Sequence, residues 1–376
     1  MNSQKFSIGP EFVFGKGSVE EIGQMPIDKA YIICDPFMEE SRMVDKILKV
    51  LEEKGAVAKV FSKVVPDPTI EVVSASVGEI RDYKPDTVIA LGGGSAMDTA
   101  KAVVKIYSES NKVAKPCVIA IPTTSGSGSE NTAFAVISDP VNNEKVTLVD
   151  ESLVPDIAVL DTDFTITIPS PITADAGMDV LTHCLEAYVS SNATDFSDAC
   201  AEKALRMTWE YLYETFKHGD NQYARERMHN ASSIAGIAFN NAGLGIVHSL
   251  SHAIGAFFHI PHGRINTMLL PHVITFNASL EESKETEVTQ RYAEVARVLQ
   301  IHSMTAKQSV LSLNSGIIRL ARQMNMPTTL DEMKISREEF EAKIPEMAKR
   351  ALADACTASN PRSVTVEQLE SIYRRL

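Results

Sequence analysis

Over roughly the first 165 residues, short β-branched runs alternate with amphipathic stretches. Lys29-Ala-Tyr-Ile-Ile-Cys-Asp35, Val57 to Phe61, Thr87-Val-Ile-Ala-Leu91, Cys117-Val-Ile-Ala-Ile121 and Ile157-Ala-Val-Leu160 read as strands, and helices are predicted around Met43 to Lys54 and Ile70 to Tyr83. Strand, helix, strand in that order predicts a parallel sheet covered by helices, because parallel neighbours need a crossover connection. After Pro169 and Pro171 the period lengthens to 3.6 and very few strand-like runs remain before Leu376. The chain is therefore expected to divide into an α/β domain with a parallel sheet, residues 1–168, and an all-α domain, residues 169–376. Phe6 to Phe14 is also strand-like and apolar, and offers an edge on which a second subunit could pair.

Composition narrows the class of function. A length of 376 residues with 44% hydrophobic and 23% charged positions suits about two globular domains and rules out a disordered chain. The formal charge of −13 repels nucleic acid phosphates and anionic lipid, so small-molecule chemistry is the better expectation. The start has no basic region followed by an apolar one, and no apolar run reaches 18 residues, which points to a cytoplasmic protein. Cysteines 34, 117, 184, 200 and 356 are odd in number and widely spaced, an argument against both disulfides and a thiolate zinc site.

Two loops follow predicted strands. In Leu91-Gly92-Gly93-Gly94-Ser95-Ala-Met-Asp98 the glycines would let a ligand approach the backbone, and the helix that follows would turn its free N–H groups toward a diphosphate. A glycine triplet alone fits a tight turn without ligand equally well. The second loop, Pro122-Thr123-Thr124-Ser125-Gly126-Ser127-Gly128-Ser129-Glu130, brings hydroxyls and glycines to another strand end, where ligands bind in parallel sheets. Asp35 ends an earlier strand, and is placed either to accept from an adenosine ribose or to cap a turn.

Histidines are concentrated. Five of the nine, His248, His252, His259, His262 and His272, fall between residues 248 and 272. His248 and His252 are one helical turn apart, as are Asp179 and His183 in Gly177-Met-Asp-Val-Leu-Thr-His-Cys-Leu-Glu-Ala-Tyr188. Burying imidazoles and a carboxylate in apolar helices is costly unless they are hydrogen-bonded or hold a cation. One Asp with several His offers the mixed oxygen and nitrogen donors that suit divalent iron or zinc. His248 is followed by Ser249, so the zinc-peptidase pattern HExxH is absent.

These strings together resemble the iron-containing, or group III, alcohol dehydrogenase family: Gly-Met-Asp179-xx-Thr-His183-xx-Glu-Ala-Tyr, His248-x3-His252-x9-His262-Gly, Gly-Gly-Gly-Ser-xx-Asp, the Pro-Thr-Thr loop and the ending Asn360-Pro-Arg. The likeness runs over essentially the whole chain. It implies Asp179, His183, His248 and His262 as ligands of Fe2+, with Zn2+ as the other ion these donors admit, and His252 as a metal-proximal residue assisting proton transfer. It also implies NAD contacts at Asp35, Asp67, Gly93, Gly94, Ser95, Thr123, Thr124 and Lys145, and structural roles for His259 and His272.

The implied reaction is NAD-linked oxidation of a small primary alcohol, or reduction of a short-chain aldehyde, in a homodimer. Phe134 and Phe239 match pocket-lining positions, though both also suit a plain core. Arg264 could grip a polar or anionic aldehyde, or could form an ordinary ion pair. A lyase of the dehydroquinate synthase type and a non-catalytic NAD-binding protein are the alternatives.

Overall fold

The computed structural model describes residues 4–141, 144–282 and 284–376. The chain separates into two units: Ile8–Thr167, and Ile168–Leu376 together with the N-terminal residues up to Ser7.

In the first unit the apolar runs become strands. These are β1 (Glu11–Phe14), β2 (Lys29–Cys34), β3 (Val57–Phe61), β4 (Thr87–Gly92), β5 (Cys117–Pro122), β6 (Phe134–Asp139), β7 (Glu144–Val149) and β8 (Ile157–Leu160), with helices α1 (Pro36–Glu40), α2 (Met43–Glu53), α3 (Ile70–Tyr83) and α4 (Gly94–Asn111). Six strands form one parallel sheet in the order β1-β8-β5-β4-β2-β3. Side chains alternate between its faces, so the central strands feed two cores. Tyr31, Ile33, Val88 and Ala90 pack with Met97 and Val103 of α4. Ala30, Ile32, Ile89 and Leu91 pack with Ile47 and Leu51 of α2 on the opposite face. Both faces are covered, which is why these strands read as continuous apolar runs.

From β2 the chain steps outward to β3, then returns to lay β4 on the other side of β2. The order reverses between β2 and β4, and ligands in such sheets bind beyond the strand ends at that point. Asp35 and the Gly92–Gly94 turn follow these two strands.

Two features differ from the sequence expectation. Between β5 and β8 the chain forms an antiparallel hairpin, β6 with β7, where no strand is expected from the sequence. The Phe6 to Phe14 stretch is also divided. Glu11–Phe14 pairs with β8 inside its own sheet, while Phe6 stacks on Phe196 and Ser7 bonds Asn241 in the second unit. Residues 1–3 and 142–143 of the expected first domain lie outside the described residues.

The second unit has helices and no strand among its described residues: α5 (Ser170–Val189), α6 (Asp195–Lys217), α7 (Gln222–Ala242), α8 (Ile246–Phe258), α9 (His262–Asn277), α10 (Glu287–Val298), α11 (Ala306–Gln323), α12 (Arg337–Ala353) and α13 (Val366–Tyr373). Helix α5 packs against α6, α7 and α9. Its residues 177–189 are buried all round rather than on one stripe, as expected for a helix with few polar positions. Gly263 permits the closest approach: a Cβ there would stand 2.0 Å from the Asp175 carbonyl oxygen, so α9 crosses α5 almost backbone to backbone. Among the described residues no helix is long and apolar enough to cross a membrane.

Candidate metal centre and coenzyme loops

The i, i+4 spacings do what helix geometry dictates. Asp179 and His183 project from α5 in the same direction, as do His248 and His252 from α8. His262 opens α9 directly after Pro261, in the position where a proline-terminated loop hands over to a helix. All three imidazoles converge on one oxygen: the Nε2 atoms of His183, His248 and His262 lie 3.7, 3.7 and 3.6 Å from Asp179 Oδ1. Tetrahedral donors each about 2.1 Å from a shared ion stand about 3.4 Å apart, so each imidazole lies near ligand spacing from Asp179; the donor atoms of Asp179, His248 and His262 all lie within 4.8 Å of one another, with His183 beside them. His248 Nε2 is fully buried and has no hydrogen-bond partner among the described residues, which is the orphaned atom a metal would satisfy.

The surrounding groups fix the rings. Glu186, one turn beyond His183 on α5, accepts at 2.5 Å from His248 Nδ1 and also accepts the Val247 N–H. Ser251 Oγ lies 3.0 Å from His262 Nδ1. Asn266 Nδ2 donates to Asp179 Oδ1 at 2.7 Å and lies 3.1 Å from His262 Nε2. Such partners set the tautomer and aim the free nitrogen at the ion. Phe239 covers one side, its ring centroid 4.5 Å from that of His183.

Electrostatics favour positive charge here. Burial alone pulls His248 down, but the carboxylates of Glu186 and Asp179 reverse the sign and lift it to about 9. Burial likewise pushes Asp179 up, and the three histidines more than reverse it, holding the carboxyl well below its usual range. His262 is driven well below the ordinary imidazole value, first by burial, against the pull of Asp179. A metal needs a carboxylate with neutral imidazoles, so binding displaces the proton that Glu186 and Asp179 hold on His248.

His252 is not part of this convergence. Its Nδ1 is held 2.9 Å from Asp354 Oδ2, and its ring stacks on His262 with centroids 5.3 Å apart. His259 instead terminates α8 in a left-handed conformation, and His272 is half-buried on α9.

In the α/β unit the two loops meet. A Cβ on Gly93 would stand 3.2 Å from Thr124 Oγ1, and one on Gly94 would stand 3.2 Å from Ser127 Cβ. Gly92 has φ of +149°, and a Cβ there would strike that of Ala96 at 2.7 Å. Helix α4 begins with no side-chain cap and no acidic residue in its first turn, which leaves its positive end for an anion. Thr123 is buried and donates its N–H to the Gly92 carbonyl.

Asp35 does cap α1, accepting from Met38 N at 3.2 Å through Oδ1. Its Oδ2 faces the glycine turn, 3.5 Å from where a Gly92 Cβ would be. Asp67 and Lys145, assigned separately to the coenzyme, form an ion pair of 2.7 Å that ties the 65–69 loop to the hairpin.

The sequence reading passed over the group that anchors this hairpin. Lys101 Nζ is buried under it, 2.8–2.9 Å from Ser129 Oγ, Thr132 O, Thr132 Oγ1 and Phe134 O, and burial lowers its amine to about 8. Asp98 accepts from Ser129 Oγ and Val136 N on the same network. Phe134 therefore takes part through its backbone.

Arg264 is committed elsewhere. Its Nε and Nη2 donate to the two oxygens of Asp175 at 3.1 and 2.8 Å, a two-point brace between α9 and α5. Glu186, Asn266, Ser251, Asp175 and Asp354 were not singled out from sequence. All but Asp354 carried a local signal: Glu186 and Ser251 lie three residues beyond His183 and His248, Asn266 four beyond His262, and Asp175 four before Asp179.

A parallel sheet with a glycine turn at its switch point, and a helical unit with one carboxylate ringed by three imidazoles, are the parts of a metal- and nucleotide-using oxidoreductase. Residues 9–162 match the family described as iron-containing alcohol dehydrogenase, and residues 173–376 match the C-terminal part of the Fe-containing alcohol dehydrogenase family. A 1-propanol dehydrogenase of Citrobacter freundii is 39% identical over 375 residues, covering 99% of this chain and all of that one. An NADPH-dependent butanol dehydrogenase of Clostridium saccharobutylicum is 38% identical over 98% of this chain and 97% of its own. The crystal structure of a 1,3-propanediol oxidoreductase superposes with a TM-score of 0.91 over the whole of both chains at 28% identity. The chain belongs to the iron-containing alcohol dehydrogenase family, and it is an alcohol oxidoreductase. That assignment sets aside the lyase and the non-catalytic alternatives.

Proposed function

We propose that this protein interconverts a short, uncharged primary alcohol and its aldehyde with NAD(H) as coenzyme and Fe2+ at the Asp179, His183, His248 and His262 cage. The observation that carries the reading is the convergence of three Nε2 atoms on Asp179 Oδ1, with His248 Nε2 buried and lacking a hydrogen-bond partner among the described residues. When bound, the ion supplies Lewis acidity toward the substrate oxygen and the coenzyme supplies the hydride acceptor or donor.

The chain's own residues do the rest. Asp179 contributes the negative charge that offsets the cation, Glu186 and Ser251 orient His248 and His262, and Phe239 shields His183 from water. The Gly93-Gly94-Ser95 turn and Thr123 and Thr124 cradle the pyrophosphate, Asp35 accepts from the adenosine ribose, and its charge opposes a 2′-phosphate. The Asp67–Lys145 pair borders the same loops. His252 exchanges a proton with the substrate oxygen.

The substrate is drawn from the uncharged class because Arg264 already spends two donors on Asp175, which supports an ion-pair role over an anion grip. A homodimer remains our expectation, with the outer edge of β1 as the surface to test by sedimentation.

The deciding experiment is an anaerobic panel of C2 to C4 aldehydes with NADH and NADPH, run on protein reconstituted with iron and with zinc. NADH-linked reduction that is lost on chelation and restored by iron is expected. Activity that survives full chelation would overturn the assignment of the cage.

A further inference from the structure

The hydrogen bond between His252 and Asp354 joins residues 102 positions apart and belongs to neither the cage nor the coenzyme loops. Asp354 follows the end of α12 and is fixed from both sides. Its Oδ1 accepts from Cys356 N at 2.8 Å, capping the turn Ala355–Ser359, and from Ser249 Oγ of α8 at 3.4 Å. That turn is itself fastened to α8: Thr357 Oγ1 donates to Ser249 Oγ at 2.8 Å and Ser359 Oγ to the Leu244 carbonyl at 2.7 Å. With Oδ1 occupied, Oδ2 is left to His252 Nδ1 at 2.9 Å.

A carboxylate only accepts, so His252 must carry its proton on Nδ1. Its Nε2 is then the basic nitrogen, on the far side of the ring from Asp354. His252 is also open, with 33% of its side chain exposed, as is His262 at 38%, against 5% and 2% for His183 and His248. Left unheld, such an imidazole would sample both tautomers and several rotamers.

We propose that Asp354 is a positioning residue for the reaction: it locks the tautomer and orientation of His252 so that Nε2, and not Nδ1, handles the proton of the substrate alcohol. This rests on the reading of His252 as the proton-handling neighbour of the cage. Among the described residues Asp354 bonds Ser249, His252 and Cys356 and none of the four cage residues, and His252 is the one of these three beside the cage ring of His262.

The test uses iron-loaded full-length protein. Asp354→Asn keeps the cap but loses the obligate acceptor pair, and it is expected to lower kcat by about 10- to 100-fold, the usual effect of removing a partner that orients a site histidine. Aldehyde KM, iron content and NADH affinity by fluorescence should stay within twofold of wild type. Asp354→Glu should recover part of kcat. In a His252→Ala background, Asp354→Asn should cost less than a further twofold, because coupled residues are not additive.

Asp354→Ser, which still caps but cannot reach the ring, serves if the Asn variant does not fold. A kcat within twofold of wild type, a loss that tracks lost iron, or a full multiplicative loss on the His252→Ala background overturns the proposal. If the wild-type protein itself shows no metal-dependent reductase activity, the functional reading has failed and not this one.

Discussion

Gly263→Ala tests how tightly the cage depends on the crossing of two helices. The new Cβ would lie 2.0 Å from the Asp175 carbonyl oxygen and 2.7 Å from its carbon, both backbone atoms of α5 that cannot rotate away. A carbon against a carbonyl oxygen settles at about 3.3 Å, so the first turn of α9 must retreat by about 1.3 Å. His262 is the preceding residue and moves with it, stretching its 3.6 Å separation from Asp179 Oδ1 to as much as about 4.9 Å. Two donors about 2.1 Å from one ion can be no more than about 4.2 Å apart, so one ligand is lost.

Overpacking of this kind costs about 1–3 kcal/mol of stability in addition. Iron content after gel filtration should fall from stoichiometric to a small fraction, and Tm should drop by several degrees. Gly255→Ala is the control on α8, where the nearest atom to a new Cβ is Ile265 Cδ1 at an ordinary 3.7 Å. It should retain iron and gain up to about 1 kcal/mol from helix propensity. Stoichiometric iron at wild-type affinity in Gly263→Ala would refute the crossing argument, and so would equal iron loss in both variants.

Three further outcomes follow from the same contacts. Arg264→Ala should leave the ratio of activities on acidic and neutral aldehydes unchanged while lowering Tm, since it removes a brace to Asp175; a selective loss on acidic aldehydes would return Arg264 to the substrate site. Asp35→Gly should raise the NADPH to NADH ratio of kcat/KM, and an unchanged ratio would remove Asp35 from the ribose site. Lys101 titrates near 8 when folded against an ordinary 10.5, so the unfolded chain binds more protons between those values. Its contribution to stability is therefore fully present above about 10.5 and lost as pH falls through 8. Denaturant titrations from pH 8 to 10.5 should show wild-type stability rising relative to the Asp98→Asn/Lys101→Met variant; parallel curves would contradict the burial argument.

Much of the molecule could be read locally. Buried strands appear as apolar runs because both faces of the sheet are covered, and the i, i+4 pairs Asp179/His183 and His248/His252 follow from 3.6 residues per turn. The glycine turn at the end of β4 declared itself through three glycines: a side chain would collide at Gly92 and crowd Thr124 and Ser127 at Gly93 and Gly94. By contrast, the hairpin of β6 and β7 was overlooked. Its strands are as long as β4 and β5 but partly exposed, and they are tied down by the buried Lys101 of α4.

What the chain alone determined was the inventory: which segments are strand or helix, and which side chains are able to ligate a metal or approach a phosphate. Tertiary structure decided which of them are wired together. His248 meets Glu186 across 62 residues, His252 meets Asp354 across 102, and Arg264 meets Asp175 across 89. No periodicity encodes such distances. They arise where helices cross, and α9 can cross α5 so closely only because Gly263 has no side chain.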